Sequence, residues 1–367
     1  MPQVYDILVI GGGIVGLTTA IRLREAGVTV AVYDRGEFGR EASWAGAGIL
    51  PPGNPERAIT SIDRLRAIGA VEFPQLSAQL RESTGIDNGY RVNGGIEYLF
   101  ADDEYSLELW AHEGIRFERI DDDRVPGATA YHVPDMAQVR NPRHLRALIA
   151  EADRLGIGLF PNMGIEAWHR VDGRVAGIEL ANGSRAGADQ FLVAAGPWSE
   201  RLLGPLDCQL GVHPIRGQIL LLNAGSDAGP TRIAGKRYLV PRGDGLVLVG
   251  STEEPEAGFA KQTTPSGLED LRTFANRILP ELATATVAGA WAGLRPGSPD
   301  GLPFLGSVPG YDNVFVATGH GRAGVQLSPG TARFLADRML GRPTSILHDA
   351  FALDRKPSVP ARPAFRS

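Results

Sequence analysis

The amino-acid sequence predicts a mixed α/β (α+β) protein, with one domain built on parallel strands and a second built on an antiparallel sheet. The first observation is a strand–turn–helix–strand pattern in the first 34 residues, which predicts a parallel βαβ unit. The second is a series of Asp-Gly and Asn-Gly turns after residue 164, which predicts antiparallel hairpins. The third is the length of 367 residues, which favours two domains.

The parallel unit occupies the start of the chain. Val4–Ile10 is an apolar, β-branched run followed at once by glycines, which predicts a buried strand. Ile14–Ala26 carries apolar residues at helical spacing, and Gly27 stands where a helix-ending glycine is expected. Val28–Tyr33 is a second apolar run. The three segments together predict strand, helix and parallel strand.

The elements that follow alternate between helices and short strands. Helices are predicted over Glu56–Ser83, 142–156, 266–278 and Ala323–Leu340. Strands are predicted over 90–100, over 164–195 as a three-stranded antiparallel meander that ends in Phe191–Gly196, and over 210–222, Tyr238–Val240, Leu246–Gly250, 286–294 and 314–318. The Pro-rich tail from Arg342 predicts irregular structure.

Composition excludes several classes of function. A net charge of −5 with scattered Lys and Arg argues against nucleic-acid partners and a basic membrane-binding patch.

Cys208 is the only cysteine, which rules out an internal disulfide and fits a reducing compartment. The sequence contains neither a signal-peptide pattern nor an apolar run of about 18 residues, so we expect a soluble cytoplasmic protein without a membrane span. We predict no metal site and no nucleophile motif.

A glycine motif between the first strand and the first helix predicts a dinucleotide site. Gly11 permits a tight turn, Gly13 lets the backbone approach a pyrophosphate, and Gly16 lets the helix pack close to the strand. The helix N-terminus offers free N–H groups to phosphates. Asp34 ends the second strand, where a carboxylate accepts hydrogen bonds from ribose hydroxyls. The pattern predicts a Rossmann-like domain.

The segment Glu41–Pro52 is rich in small residues. Such a segment suits backbone packed against a flat ring system, which favours FAD over NAD. A helix start that needs small residues for packing is the alternative interpretation.

Seven segments in a fixed order then resemble one family. They are the N-terminal βαβ unit, SWAGAGILPP, LVAAG, HPIRGQIL, YLVPRGDGLVLVGST, GLRPGSPDGLPFLG and ATGHGRAGVQLSPGTA. Together they resemble the D-amino acid oxidase superfamily of flavoproteins over residues 1–345. The block 250–264 is similar to the glycine oxidase subgroup of the thiamine-thiazole pathway in particular.

The resemblance implies a noncovalently bound FAD and two discontinuous domains. We expect the FAD-binding domain to comprise 1–85, 140–205 and 300–367, and the substrate-binding domain to comprise 86–139 and 206–299. The implied cofactor contacts, together with the glycine motif, are Gly11, Gly13, Ile14, Val15, Gly16, Asp34, Arg35, Ala42, Ser43, Ala47, Gly48, Ile49, Ile165 and Gly319, His320, Gly321, Arg322, Ala323, Gly324, Val325, Gln326.

The loop 319–324 precedes a predicted helix, so its N–H groups and the helix dipole are positive. Directed at the flavin pyrimidine, they would stabilise the negative charge of the reduced ring. The alternative is a glycine-rich connection to a surface helix. We interpret His320 as a histidine packed near flavin rather than a general base.

An amino-acid substrate brings a carboxylate, which an arginine fork binds in bidentate form. By resemblance, Arg295 is the carboxylate-binding arginine, and Arg322 and Tyr238 lie near the substrate. We predict no protein acid or base as catalytic residue, because the cofactor carries the chemistry. Glu253 departs from the apolar residue of some glycine oxidases, and its role is left open.

The predicted reaction is FAD-dependent oxidation of glycine or a similarly small amine or amino acid. Hydride leaves Cα, and the imine yields glyoxylate and ammonia. Dioxygen as acceptor gives hydrogen peroxide, and the resemblance implies a role in thiamine thiazole synthesis. A D-amino acid dehydrogenase, a sarcosine oxidase-like enzyme, a non-catalytic flavin-binding module and an NAD-dependent dehydrogenase are the alternatives. The substrate side chain and a homo-oligomeric state are left open.

Overall fold

A computed structural model describes residues 5–346, 348–356 and 365. Over these residues the chain forms eight α-helices and twenty β-strands. The helices are α1 (Ile14–Glu25), α2 (Ala42–Ala45), α3 (Ser61–Thr84), α4 (Tyr105–Glu113), α5 (Asn141–Arg154), α6 (Ser199–Leu203), α7 (Pro265–Ile278) and α8 (Gly324–Met339). The strands are β1 (Tyr5–Ile10), β2 (Val30–Tyr33), β3 (Ile49–Leu50), β4 (Arg91–Val92), β5 (Gly95–Leu99), β6 (Glu118–Ile120), β7 (Thr129–Val133), β8 (Ala137–Gln138), β9 (Gly158–Phe160), β10 (Ile165–Val171), β11 (Arg174–Leu180), β12 (Arg185–Ala186), β13 (Ala188–Val193), β14 (His213–Asn223), β15 (Thr231–Ala234), β16 (Arg237–Pro241), β17 (Leu246–Gly250), β18 (Thr286–Gly297), β19 (Phe304–Ser307) and β20 (Val314–Thr318).

A six-stranded sheet carries the predicted βαβ unit, in the order β19-β20-β13-β1-β2-β9. Its pairings are parallel except for the one between β19 and β20. Successive residues of β1 enter different cores: Ile7 and Val9 pack with α1, α5 and α8, whereas Leu8 and Ile10 face β11 and its neighbours. Both faces are therefore covered, as apolar parallel strands require.

An eight-stranded sheet has the order β18-β14-β17-β16-β15-β5-β7-β6. Its pairings are antiparallel except that β15 runs parallel to β5. The apolar residues Leu271, Phe274 and Ile278 of α7 pack against one face. The other face contributes Ile219 and Tyr238 to a core shared with the segment after α2. The fold is thus the predicted mixed α/β architecture.

The predicted meander differs from the structure at its last strand. The antiparallel sheet comprises β10, β11 and the short β12, and its turns carry the expected positive φ angles at Asp172, Gly173 and Gly183. The segment that ends in Phe191–Gly196 instead forms β13, which pairs in parallel with β1. Its buried, uninterrupted apolar run suits a strand covered on both faces better than a half-exposed meander strand.

Helix α3 begins at Ser61, later than the predicted start at Glu56. Thr60 caps it, because the Thr60 side chain accepts a hydrogen bond from the backbone N–H of Asp63 at 3.1 Å. The sequence interpretation also omitted the helices α4 and α6 and the strands β3, β6, β7, β8, β9, β15 and β19. The described part of the Pro-rich tail, residues 342–346, 348–356 and 365, contains one 3-10 turn, at Asp349–Phe351, and neither α-helix nor strand, and the prediction for the remaining tail residues lies outside the described residues.

The parallel sheet draws its strands from residues 5–33, 158–193 and 304–318, whereas the eight-stranded sheet draws on 95–133 and 213–297. The exact domain boundaries remain a prediction. Among the helices of the described chain, none combines the length and the apolar character that crossing a bilayer demands.

Candidate active site

A cavity of about 340 Å³, here called the nucleotide cavity, opens at the carboxyl ends of the parallel strands. Ile10, Tyr33, Ala194 and Thr318, which end or follow β1, β2, β13 and β20, all line it. In open α/β sheets this crevice is the expected place for a ligand.

The glycine motif shapes one wall of the nucleotide cavity. Gly11 has φ +115°, and a Cβ there would lie 2.4 Å from the carbonyl oxygen of Ala194. A Cβ at Gly16 would lie 1.9 Å from the carbonyl oxygen of Gly11. Gly13 is the N-cap of α1, and the N–H of Ile14 donates to Ser43 Oγ at 3.0 Å. These close approaches present the N-terminus of α1 to the cavity, as phosphate binding requires.

Asp34 lines the nucleotide cavity beside this turn. Its carboxylate accepts hydrogen bonds from the N–H groups of Gly12 at 2.7 Å and Gly36 at 2.9 Å. Burial raises the pKa of Asp34, and the two N–H groups act against that rise. Each oxygen accepts one of these bonds and keeps capacity for another donor, such as a ribose hydroxyl.

The aromatic wall of the nucleotide cavity was not predicted. The guanidinium of Arg35 stacks over the Trp198 ring at 3.8 Å, and both residues line the cavity. Trp168 lines it beside the predicted Ile165. Trp198 follows β13, and the rule that ligands bind beyond the ends of parallel strands would have found it had β13 been assigned to that sheet.

The small-residue segment contributes to packing and to the cavity. Ala42–Ala45 forms α2 on β18, where a Cβ at Gly293 would lie 2.5 Å from Ala45 Cβ, so the packing interpretation holds. Ala42 and Ser43 also line the nucleotide cavity. Arg242 donates to the carbonyl oxygen of Ala47 at 2.7 Å, which ties the segment to the hairpin of the other sheet.

A second space of about 60 Å³, here called the small pocket, adjoins the nucleotide cavity. The predicted substrate residues Arg295, Arg322 and Tyr238 all line it, and both arginines also line the nucleotide cavity. The two spaces therefore share a wall that carries two guanidinium groups.

Arg295 lies on β18, paired with Ile215 of β14. Its guanidinium donates to the carbonyl oxygen of Thr252 at 3.3 Å and to Ser251 Oγ. It also lies over the backbone of Gly217, where a Cβ would be 2.2 Å from Nη2. Glycine at this position is what allows the guanidinium to occupy its place.

Arg322 and Tyr238 add polar groups to the small pocket. Arg322 Nη2 donates to the carbonyl oxygen of Lys236 at 2.7 Å. Burial lowers the pKa of Arg322, and the neighbouring Arg295 lowers it further. The Tyr238 ring is buried against Gly250, where a Cβ would lie 2.4 Å from the ring.

His320 lines the nucleotide cavity and is buried. Its Nε2 lies 3.1 Å from Thr331 Oγ1, and burial lowers its pKa to about 4. The imidazole is therefore neutral at pH 7. Cys208 is buried among Leu203, Leu206 and their neighbours and does not line the nucleotide cavity.

Of the predicted cofactor contacts, the structure brings most into the two spaces. Those that line the nucleotide cavity are Gly11, Gly13, Ile14, Val15, Asp34, Arg35, Ala42, Ser43, Ile165, His320, Gly321, Arg322, Gly324 and Val325. Those that line only the small pocket are Ala47, Gly48, Ile49 and Gln326. Gly16, Gly319 and Ala323 line neither space. Their assignment as cofactor contacts stays a prediction, although the glycine turn, Asp34 and the cavity together fit a dinucleotide.

Comparison with known proteins identifies the family. The family model described as FAD dependent oxidoreductase matches residues 6–338. A glycine oxidase from Pseudomonas aeruginosa is 39% identical over 348 residues, covering 92% of this chain and 95% of its own. The crystal structure of glycine oxidase from Geobacillus kaustophilus superposes with a TM-score of 0.89 at 27% identity, covering 96% of this chain and 99% of its own. A bifunctional protein ThiO/ThiG from Synechocystis is 32% identical and covers 97% of this chain and 54% of its own.

The resemblance predicted from the sequence is confirmed, and with it FAD as the cofactor. The chain belongs to the DAO family of FAD-dependent oxidoreductases.

Proposed function

We propose that this protein is an amino acid oxidase that takes a hydride from Cα of glycine or a similarly small amino acid. The observation that carries the proposal is the position of Arg295, whose side chain lines both the nucleotide cavity and the small pocket. A carboxylate bound there would hold the rest of a small amino acid at the boundary between the two spaces. The names of the similar glycine oxidases support the same substrate class.

In this proposal the chain binds and orients the substrate. Arg295 forms a charge-assisted fork to the carboxylate, and Tyr238, which also lines the small pocket, would add a hydroxyl donor. The amine binds in its neutral form, so no general base is needed, and His320 is neutral and within hydrogen-bonding distance of Thr331. The small and apolar residues Ala47, Ile49 and others of the small pocket limit side-chain size and exclude water.

FAD, when bound, supplies the two-electron acceptor, and dioxygen as final acceptor would give hydrogen peroxide. The net reaction consumes glycine, water and dioxygen and yields glyoxylate, ammonia and hydrogen peroxide. The oxygen acceptor and a role in thiamine thiazole synthesis are parts of the proposal. A cytoplasmic location remains a prediction.

The experiment is a panel of glycine, sarcosine and D-alanine mixed with the purified yellow protein without oxygen. The proposal expects glycine to bleach the flavin most readily, and peroxide to form once oxygen is admitted. Bleaching without peroxide would indicate a dehydrogenase, preference for sarcosine would indicate the sarcosine oxidase-like alternative, and no bleaching by any amine would contradict the proposal.

A further inference from the structure

Glu253 lies directly behind one of the two arginines of the small pocket. Its carboxylate Oε2 is 3.6 Å from Arg322 Nη1 and 3.0 Å from Lys236 Nζ. The Lys236 side chain is 70% exposed, so water strongly screens the attraction between Lys236 and Glu253. Arg322 is 20% exposed and Glu253 28%, so their mutual attraction is screened less.

One N–H group of Arg322 is only weakly satisfied by the protein. Nη2 donates to the carbonyl oxygen of Lys236, whereas the buried Nη1 is held only by the 3.6 Å ion pair with Glu253, too long for a good hydrogen bond, within the described part of the chain. A buried donor without a good partner is costly, and an anionic ligand group would satisfy it. Arg322 is therefore a second anion-binding position beside Arg295.

Glu253 is the carboxylate that weakens anion binding at Arg322. Glu97 is another carboxyl group that interacts with Arg322, but it is buried, and burial together with the nearby Asp103 raises the pKa of Glu97 to about 8. Glu97 is thus mainly protonated at pH 7. No carboxylate is among the residues that line the small pocket in the described chain. Glu253 therefore supplies the negative charge that offsets Arg322.

We propose that Glu253 sets the charge selectivity of the small pocket: by offsetting Arg322 it favours substrates with one carboxylate and disfavours amino acids that carry a second one. This inference rests on the proposed function, because it assumes that Arg295 binds the first carboxylate. With Glu253 neutralised, two guanidinium groups would face the ligand, and a second carboxylate would pair with Arg322.

The test compares two probes of nearly equal shape that lack an oxidisable amine, diglycolate and its monoamide, which keeps a single carboxylate. Their dissociation constants are measured by the change that each causes in the visible absorption of the bound flavin, without oxygen and at low salt. We expect the parent protein to bind the monoamide at least about tenfold more tightly, and Glu253→Gln to reduce that preference about tenfold by improving diacid binding. Glu256→Gln, an exposed glutamate of the same segment, should leave the preference unchanged.

A second variant acts in the opposite direction. Lys236→Gln removes the exposed partner of Glu253, so the preference for the monoamide should stay the same or widen. Equal changes for both probes in Glu253→Gln, or the same loss of preference in Glu256→Gln, would overturn the inference. If Glu253→Gln loses its flavin, Lys236→Gln decides the question. A weaker preference of Lys236→Gln for the monoamide over the diacid would overturn the inference. Failure of glycine to bleach the parent protein refutes the proposed function separately, because ligand binding is read without turnover.

Discussion

The position of the Arg295 guanidinium depends on a glycine of the neighbouring strand. Arg295 pairs with Ile215, so Gly217 is its diagonal neighbour on the same face of the sheet. The guanidinium occupies the space that a side chain at Gly217 would fill. The substrate pocket therefore depends on a residue that carries no chemistry of its own.

Gly217→Ala should displace Arg295 without unfolding the protein. The new Cβ would lie 2.2 Å from Nη2, and the end of a flexible side chain moves more easily than backbone. Loss of a charge-assisted fork costs about 1.5–3 kcal/mol, so KM for glycine should rise about ten- to hundredfold while the thermal midpoint changes little. Gly289→Ala is the control, because its Cβ would meet nothing closer than 3.8 Å. An unchanged KM in Gly217→Ala would contradict this account.

Asp34→Ala should weaken FAD binding. The change removes the acceptor of the Gly12 and Gly36 N–H groups and the carboxylate offered to a ribose, so the dissociation constant should rise at least about tenfold. The measurement is a fluorescence titration of apoprotein with FAD. Asp6→Ala is the matched control, since Asp6 also accepts a backbone N–H, from Thr29, but does not line the nucleotide cavity. Equal losses in the two variants would indicate a general effect on the βαβ unit.

At the scale of elements, α2 depends on its close contact with β18. Gly293 faces Ala45, and Trp291 Nε1 donates to the carbonyl oxygen of Ala45 at 3.1 Å. The contact joins a segment that follows the parallel sheet to a strand of the other sheet, so it helps to set the wall between the two spaces.

Gly293→Ala should push α2 away from the sheet. Its Cβ would lie 2.5 Å from Ala45 Cβ, and neither atom can rotate aside, so overpacking should cost about 1–3 kcal/mol of unfolding free energy and increase the rate of FAD release. Urea unfolding and the flavin dissociation rate measure the two effects. Gly289→Ala, on the same strand, should change neither. Wild-type stability together with wild-type flavin retention in Gly293→Ala would show that α2 is free to move.

The sequence predicted the positions of helices and strands better than it predicted which strands pair with each other. Helices α5 and α7 were placed within one or two residues, because apolar spacing and flanking residues are local signals. The predicted pairing of β13 was wrong, because an apolar run such as Phe191–Val193 fits a meander and a parallel sheet equally well. The short, exposed strand β6 was not predicted, because its residues show no alternating apolar pattern.

The candidate site shows the same division. Gly11, Asp34 and Arg295 belong to recognisable motifs, and the structure places all three at the nucleotide cavity. Gly217 and Trp198 were missed, because their importance depends on strand register and on which sheet β13 joins. Such residues require knowledge of tertiary pairing, which no local pattern contains.

At the scale of the whole molecule, two buried histidines make stability depend on pH. His144 and His320 are both buried, and burial lowers the pKa of each to about 4 from an ordinary value of 6.5. Above pH 6.5 both states of the protein hold neutral histidines. Between pH 6.5 and 4 only the unfolded state takes up the protons, so the folded state loses stability as pH falls.

His144→Gln should flatten this dependence. His144 lies on α5, with Nδ1 3.1 Å from Asn88 Nδ2, and does not line the nucleotide cavity. Each histidine should account for a decrease of about 3 kcal/mol in the free energy of unfolding between pH 7 and pH 4. Urea unfolding of FAD-saturated protein at several pH values measures the slope, and the variant should lose less stability than the parent. Parallel pH curves for the two proteins would rule out His144 as a source.

The most direct test of the central claim is the glycine concentration at which the rate of flavin reduction without oxygen is half-maximal, compared between the parent protein, Arg295→Lys and Arg295→Ala. If Arg295 anchors the carboxylate, the alanine variant should need at least about thirtyfold more glycine, from a loss of about 2–5 kcal/mol, with lysine between the two. The same half-saturating glycine concentration in all three proteins would contradict an arginine-anchored amino acid at the flavin.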